Sequence, residues 1–338
     1  MSVPPTSGSS SGHQAVTATA ASVSLARTNR APAGISSPSP SEIAFGTTLT
    51  SFIPRPVQNA FEIQLALARI GISPGSLDGV AGPKTHLALI AFQLKEDLPM
   101  TGVLDPSTKS RLLLTTPPFT NCTVTADDLA RPRPVGKSWL EKSLQDRLDY
   151  ETILELVAEK AQSHPHLIRQ LNPSVNWTNL EAGTAVIIPN AENPPVRERA
   201  ALARIHLEER TLQVFGERTN LLAHFPCSIA AFAQKRPVGE LHVAAVALNP
   251  NYTFDPENFP DSAEARELNR KLVLPPGPNN PVGTVWIGLD KPGYGIHGTP
   301  RPEQVGRAES HGCFRLANWN AEFFAHLVWL GMPVFVEP

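Results

Sequence analysis

Cysteine is scarce in this chain. Cys122, Cys227 and Cys313 are the only three in 338 residues, an odd number that excludes a disulfide scaffold and leaves one thiol over in any pairing. Cys122 and Cys227 could bridge and leave Cys313 free; alternatively Cys227, in the apolar run "HFPCSIA", is a small core residue. No stretch approaches the roughly 18 consecutive apolar residues of a membrane-spanning helix, so no integral membrane segment is expected. An excess of one charge is also missing: 29 Lys and Arg face 31 Asp and Glu, for a net charge of -2. That balance removes the electrostatic case for nucleic acid or an anionic membrane surface as partner. The first Lys or Arg is Arg27, so the weakly apolar "AVTATAASVSLA" lacks a basic leader and does not read as a secretory signal.

Proline is what the chain has in abundance, with 34 residues gathered in the N-terminal tail and between segments, where they stiffen loops. Residues 1–58, with "TSGSSSG" and "SSPSPSE", hold too little apolar content to offset the entropy of ordering a backbone. A tail is expected there. From Phe61 the spacing becomes helical: Ile63, Leu67 and Ile70 form one stripe, widened by Phe61, Leu65 and Ala68, and Gly71 ends it. A glycine-rich loop, "SPGSLDGVAGP", leads to a second helix opened by Pro83, with Leu87, Ile90 and Leu94 in phase. Asp105-Pro106 reads as the N-cap and first position of a third. Over 59–115, "FEIQLALARIGISPGSLDGVAGPKTHLALIAFQ" and "TGVLDPSTKSRL" resemble the three-helix peptidoglycan-binding domain.

Residues 116–147, with "TTPPF" and "RPRPVGK", read as a linker by composition. Beyond it, residues 148–191 resemble a lysin-motif domain, a glycan-binding unit of strand-helix-helix-strand build. The match is carried by Leu171, Asn172, Pro173, Trp177, Leu180, Gly183, Thr184, Ile188 and Pro189. Residues alone say only a helical hairpin between two domains. From Ala201 strand signals dominate: "RIHLEERTLQVF" is two alternating runs around a charged turn, and "LLAHFPCSIA", "ELHVAAVAL" and "GTVWIGL" are further strand candidates. The stretch 249–281 carries one helical piece, "SAEARELNRKL", within loop, a candidate wall or lid. Near the end Asn318 can cap a helix with Phe324, Leu327 and Val328 inward and Gly331 closing it, before a last strand in "PVFVEP".

The chemistry gathers in "YGIHGTPRPEQVGRAESHGCFRLAN". A cysteine nucleophile needs a base, because an ordinary thiol near pKa ~8.5 is only a few per cent ionised at neutral pH. His297 is the natural partner of Cys313. The N-H groups of Gly312 and Cys313 could hold the oxyanion of a tetrahedral intermediate, and Arg315 could fork onto a carboxylate. Two other readings of the same residues stand beside this one. His297 could be a buried hydrogen-bonded side chain, or His297, His311 and Cys313 could bind a metal with Glu309, although His-x-Cys in one turn is not regular zinc spacing.

"GYGIHGT" followed by "SHGCFRL", with "LPPGPNNPVGTVWIGL" upstream, closely resembles the L,D-transpeptidase catalytic domain over 201–338. The resemblance implies Cys313 as nucleophile, His297 as base oriented by the Gly298 carbonyl, and Ser310, His311 and Gly312 shaping the oxyanion region; Arg315, from its charge, and Tyr294 and Asn318 are expected to touch substrate. No cofactor and no metal is implied. "FPCSIA" departs from the usual end of that family strand. The expected fold class is α+β multidomain: a small three-helix bundle, a lysin-motif-like unit and a mainly β catalytic domain. The expected partner is peptidoglycan, both glycan strands and stem peptides, in the periplasm or elsewhere in the cell envelope outside the cytoplasm. Acyl transfer to an amine gives a transpeptidase; water as acceptor gives an L,D-carboxypeptidase; a wall-binding protein without activity is the remaining alternative. Binding modules on linkers would raise the local substrate concentration.

Overall fold

The computed structural model describes residues 52–259, 262–310 and 312–338; most of the expected tail lies outside them. Its last residues do not: Val57 is fully buried, and strand β1 (Arg55–Pro56) pairs antiparallel with β2 (Leu113–Leu114), which corrects the boundary at 58. Between these strands lie α1 (Ala60–Ala68), α2 (Pro83–Lys95) and α3 (Pro106–Arg111). The starts of α2 and α3 follow the sequence signals. The Asn59 and Asp105 side chains accept from the backbone N-H of Glu62 and Thr108, and Pro83 and Pro106 occupy positions where no intrahelical donor is needed.

The stretch 116–147 is no free linker. Strand β3 (Phe119–Thr123) is followed by α4 (Ala126–Ala130), α5 (Trp139–Ser143), α6 (Ile153–Lys160), α7 (Pro165–Leu171) and β4 (Ala185–Pro189). β3 pairs with β4 from Phe119↔Pro189 to Thr123↔Ala185. "FTNCT" carries no apolar alternation, so only its partner strand makes it a strand. The Arg69 guanidinium pins the preceding prolines by donating to the carbonyls of Thr116, Pro117 and Asn190. Phe61 stacks on Phe119 with ring centroids 4.9 Å apart.

The rest of the chain forms β5 (Leu202–His206), β6 (Thr211–Phe215), β7 (Leu221–Pro226), β8 (Ile229–Ala230), β9 (Gly239–Leu248), β10 (Tyr252–Phe254), α8 (Ala263–Leu268), β11 (Leu272–Leu274), β12 (Val285–Leu289), β13 (Gly295–His297), β14 (Ala308–Ser310), β15 (Phe314–Arg315), α9 (Asn318–Leu327) and β16 (Pro333–Glu337). Eight strands make one sheet in the order β15-β13-β12-β9-β16-β5-β6-β7, mostly antiparallel, with β13/β15 and β16/β5 parallel. α9 packs on it through Phe323 and Phe324, whose rings meet Phe225 at 6.1 and 6.2 Å. Cys227 is fully buried in this core, and Cys122 and Cys227 are both free thiols, so the bridge is not formed.

Edge strands expose unpaired backbone and are commonly covered. Here β7 is covered by the loop after α1: Ser73 N-H donates to the His224 carbonyl at 2.8 Å, His224 N-H donates to the Gly71 carbonyl, and Asn320 Nδ2 reaches Ser73 Oγ at 3.0 Å. The second unit docks on the 249–281 insertion. Leu148 N-H donates to the Pro276 carbonyl, and Trp139 stacks on Phe254 at 4.6 Å. The expectation of modules swinging on linkers is therefore corrected by direct packing among the described residues.

Candidate active site

Register places the reactive groups. Trp286 on β12 lies opposite His297 on β13, which lies opposite Arg315 on β15. The neighbouring row runs from Gly288 to Gly295. Because Ile296 pairs with Phe314 in parallel, one step back along both strands brings Cys313 beside Gly295. Residues in register project to the same face of a sheet and alternate along each strand. Cys313, His297 and Arg315 thus share one face, while Ile296 and Phe314 are fully buried on the other.

The imidazole of His297 is 5% exposed. Its Nδ1 lies 2.6 Å from the Gly298 carbonyl oxygen. A carbonyl only accepts, so Nδ1 carries the proton and Nε2 keeps its lone pair. Gly298 itself must lack a side chain, since a Cβ there would fall 2.2 Å from Asn318 Oδ1. Burial pushes the His297 pKa down to about 4, the Gly298 contact opposes this, and the Arg315 charge adds to it.

The Trp286 ring stacks on His297, with centroids 5.6 Å apart and planes 22° apart. The same ring closes over Gly295, where a Cβ would meet it at 2.6 Å. Sequence reasoning took Trp286 only as a strand residue.

The Cys313 thiol donates to the Gly293 carbonyl at 3.5 Å. Burial raises its pKa; a hydrogen bond from the Gly295 backbone and the Arg315 charge partly offset that. At neutral pH the pair therefore rests as thiol and neutral imidazole. The reactive loop is held at both ends by Ser228, in the "FPCSIA" segment. Ser228 exchanges backbone bonds with Arg315 at 2.9 and 3.0 Å, and its Oγ accepts from the Gly306 N-H at 3.1 Å.

Tyr294 borders Gly312, whose missing Cβ would lie 3.5 Å from its ring, and donates its hydroxyl to the Lys235 carbonyl at 3.1 Å. Tyr252, on β10 of the insertion, was not marked by sequence. Burial pushes its pKa up to about 12, with the Cys313 charge adding to the shift and the Arg315 charge opposing it. The insertion thus forms a wall of the site, as a hairpin β10/β11 plus α8. The backbone of Ser310 ends β14, paired with Ala230; His311 lies outside the described residues. Among the described residues no group of three or more His, Cys, Asp or Glu could hold a metal.

One expectation is corrected. Asn318 is fully buried and touches no open surface. Nor does it cap α9, whose N-cap is Ala317; it is the first helical residue. Its Oδ1 accepts from the Thr284 N-H at 3.3 Å, and its Nδ2 donates to Glu159 Oε1 at 3.0 Å and to the Pro278 carbonyl at 3.2 Å. It fastens α9, the β12 approach and the second unit together.

A thiol and an oriented neutral imidazole on adjacent strands, at the edge of a sheet walled by an inserted hairpin, are the equipment of a cysteine acyltransferase. The L,D-transpeptidase catalytic domain profile matches residues 201–336, and a peptidoglycan binding domain profile matches 57–112. The L,D-transpeptidase YkuD of Bacillus licheniformis is 30% identical over 186 residues, which cover 55% of this chain and 93% of that protein. That of Bacillus subtilis is 26% identical over 168 residues, covering 50% and 83%. The solved L,D-transpeptidase of Xylanimonas cellulosilytica aligns with 84% of this chain and 98% of that one, at 14% identity and a TM-score of 0.35. This chain belongs to the L,D-transpeptidase family.

Proposed function

We propose that the protein is a peptidoglycan L,D-transpeptidase in which Cys313 and His297 perform a two-step acyl transfer. His297 Nε2 takes the thiol proton as Sγ attacks the carbonyl between the third residue of a tetrapeptide stem and its terminal D-Ala. The C-N bond breaks, the proton passes to the departing D-Ala amine, and a thioester remains. An acceptor amine then attacks the thioester, gives its proton to His297, and the sulfur leaves as thiol again. Ser310, His311 and Gly312 shape the oxyanion region, and Arg315 and Tyr294 meet the stem.

The single observation that carries this reading is the β13/β15 register, which sets Cys313 and His297 on one face while the Gly298 carbonyl fixes the imidazole tautomer. The pairing of β3 with β4 around α6 and α7, with α4 and α5 in the connection after β3, supports a lysin-motif-like, glycan-binding role for the unit that contains residues 148–191, alongside the peptidoglycan-binding unit at 57–112. A wall-binding role for these modules supports a site of action in the cell envelope, outside the cytoplasm. Packed modules of this kind would present the wall to the site at a fixed geometry.

Intact-mass measurement after incubation with a tetrapeptide stem tests the reading. Release of D-Ala with an acyl adduct on Cys313, both lost in Cys313→Ala, is expected. An adduct on Cys122, or D-Ala release that survives Cys313→Ala, would overturn it.

A further inference from the structure

A cavity of about 460 Å³ opens between the second unit and the catalytic domain. Glu151, Glu155 and Glu159 line it; spaced four residues apart on and just before α6, they follow one side of the helix. Lys142 of α5 and Arg301 of the loop after His297 line it as well, with Lys137 and Glu303 beside them. Among the described residues none of these seven charges forms an ion pair. Lys137, Glu151, Arg301 and Glu303 sit exposed at the rim of the cavity, while Glu155 accepts from Asn279 Nδ2 and Glu159 from Asn318 Nδ2 and the Tyr150 hydroxyl, so acidic and basic groups share one recess without neutralising each other.

Burial raises the Glu155 pKa, with the Glu151 charge adding to it. Burial, then Arg301, lowers that of Lys142, while Glu264 and Glu151 oppose the shift. Trp319 also lines the cavity, 5% exposed, with an indole N-H that has no partner. Such a donor is normally matched.

We propose that this cavity binds the zwitterionic end of a peptide, a diamino-acid residue with a free side-chain ammonium on Glu151 and Glu155 and a carboxylate on Lys142 and Arg301. The assignment rests on the peptidoglycan reading above and adds to it a docking site for a second stem. Reach allows this. Arg301 is four residues from His297, so their Cα atoms are at most about 14 Å apart, about the span of an extended tetrapeptide.

Calorimetric titration of the full chain carrying Cys313→Ala, which cannot turn over, tests the site with N-acetyl-alanyl-lysine as probe. Blocking either the side-chain amine by acetylation or the carboxylate by amidation is expected to weaken binding by about tenfold or more. In Arg301→Gln, amidation should no longer matter while acetylation still does; in Glu155→Gln the reverse should hold. Tighter binding of the peptide than of free D-alanine identifies a stem as the source, and the reverse overturns the peptide assignment. Equal affinity for charged and blocked probes, or no binding, overturns the site. If the unsubstituted protein is still acylated by a tetrapeptide under those conditions, only the cavity assignment falls. Absence of acylation brings down the peptidoglycan reading with it.

Discussion

Trp286 and His297 face each other across two antiparallel strands, ring on ring, with 5.6 Å between centroids. Such a contact contributes on the order of 1 kcal/mol beyond its buried area, but its larger effect is electrostatic. The indole keeps water off the imidazole, and dehydration is the main reason that His297 stays neutral down to about pH 4.

Trp286→Ala readmits water to that face. The His297 pKa should move back toward about 6.5, shifting the acid limb of kcat/KM upward by about one pH unit or more, and kcat should fall about tenfold as the ring loses its fixed orientation. The KM for the stem should change little, and Trp286→Phe should restore most of the rate. An acid limb that stays in place would refute this role. The sign follows from the chemistry: a base must be unprotonated to accept the thiol proton, so activity is lost below its pKa.

Asn318→Ala leaves the Thr284 N-H and the Pro278 carbonyl without their buried partner. Unmatched buried polar groups cost about 1–3 kcal/mol each, so urea unfolding should show a loss of about 2–4 kcal/mol with KM unaltered. A raised KM at unchanged stability would return Asn318 to the substrate surface and contradict its burial.

Glu159 faces Tyr150, whose hydroxyl donates to it at 3.3 Å, Asn318, and the carboxyl groups of Glu155 and Glu322. Its pKa is pushed up to about 8, first by burial, against about 4.3 in an unfolded chain. Between these values the folded state holds a proton that the unfolded state has released. Its contribution to stability is therefore full below about pH 4 and is lost as pH rises to about 8. Glu159→Gln keeps the shape and removes the titration. Its melting temperature relative to the unsubstituted protein should rise between pH 5 and pH 8.5; a difference that does not vary with pH would rule out the buried proton.

Local signals carried part of this molecule. Asp105 and Pro83 mark helix starts because capping and first-turn preferences act within one turn. Alternation in "RIHLEERTLQVF" gave the β5/β6 hairpin, and the spacing of His297 and Cys313 carried their chemistry. β3 escaped because "FTNCT" is mostly exposed and is defined by a partner more than sixty residues away. Tyr252, Trp286 and Ser228 escaped for the same reason: each acts through a neighbour distant in sequence. Asn318 misled in the opposite direction. A residue at a helix start suggests a cap or a surface contact until three segments close around it.

By itself, the sequence determined which residues are candidates for the chemistry, where several helices begin and that its charges nearly balance, since all these depend on residue identity or on neighbours within a few positions. Only the tertiary structure decided that His297 is dry and in one tautomer, that three units pack against each other, and that acidic and basic side chains without an ion pair between them line one cavity. Dehydration and pairing are properties of what the folded chain brings into contact, and the linear order does not contain those contacts.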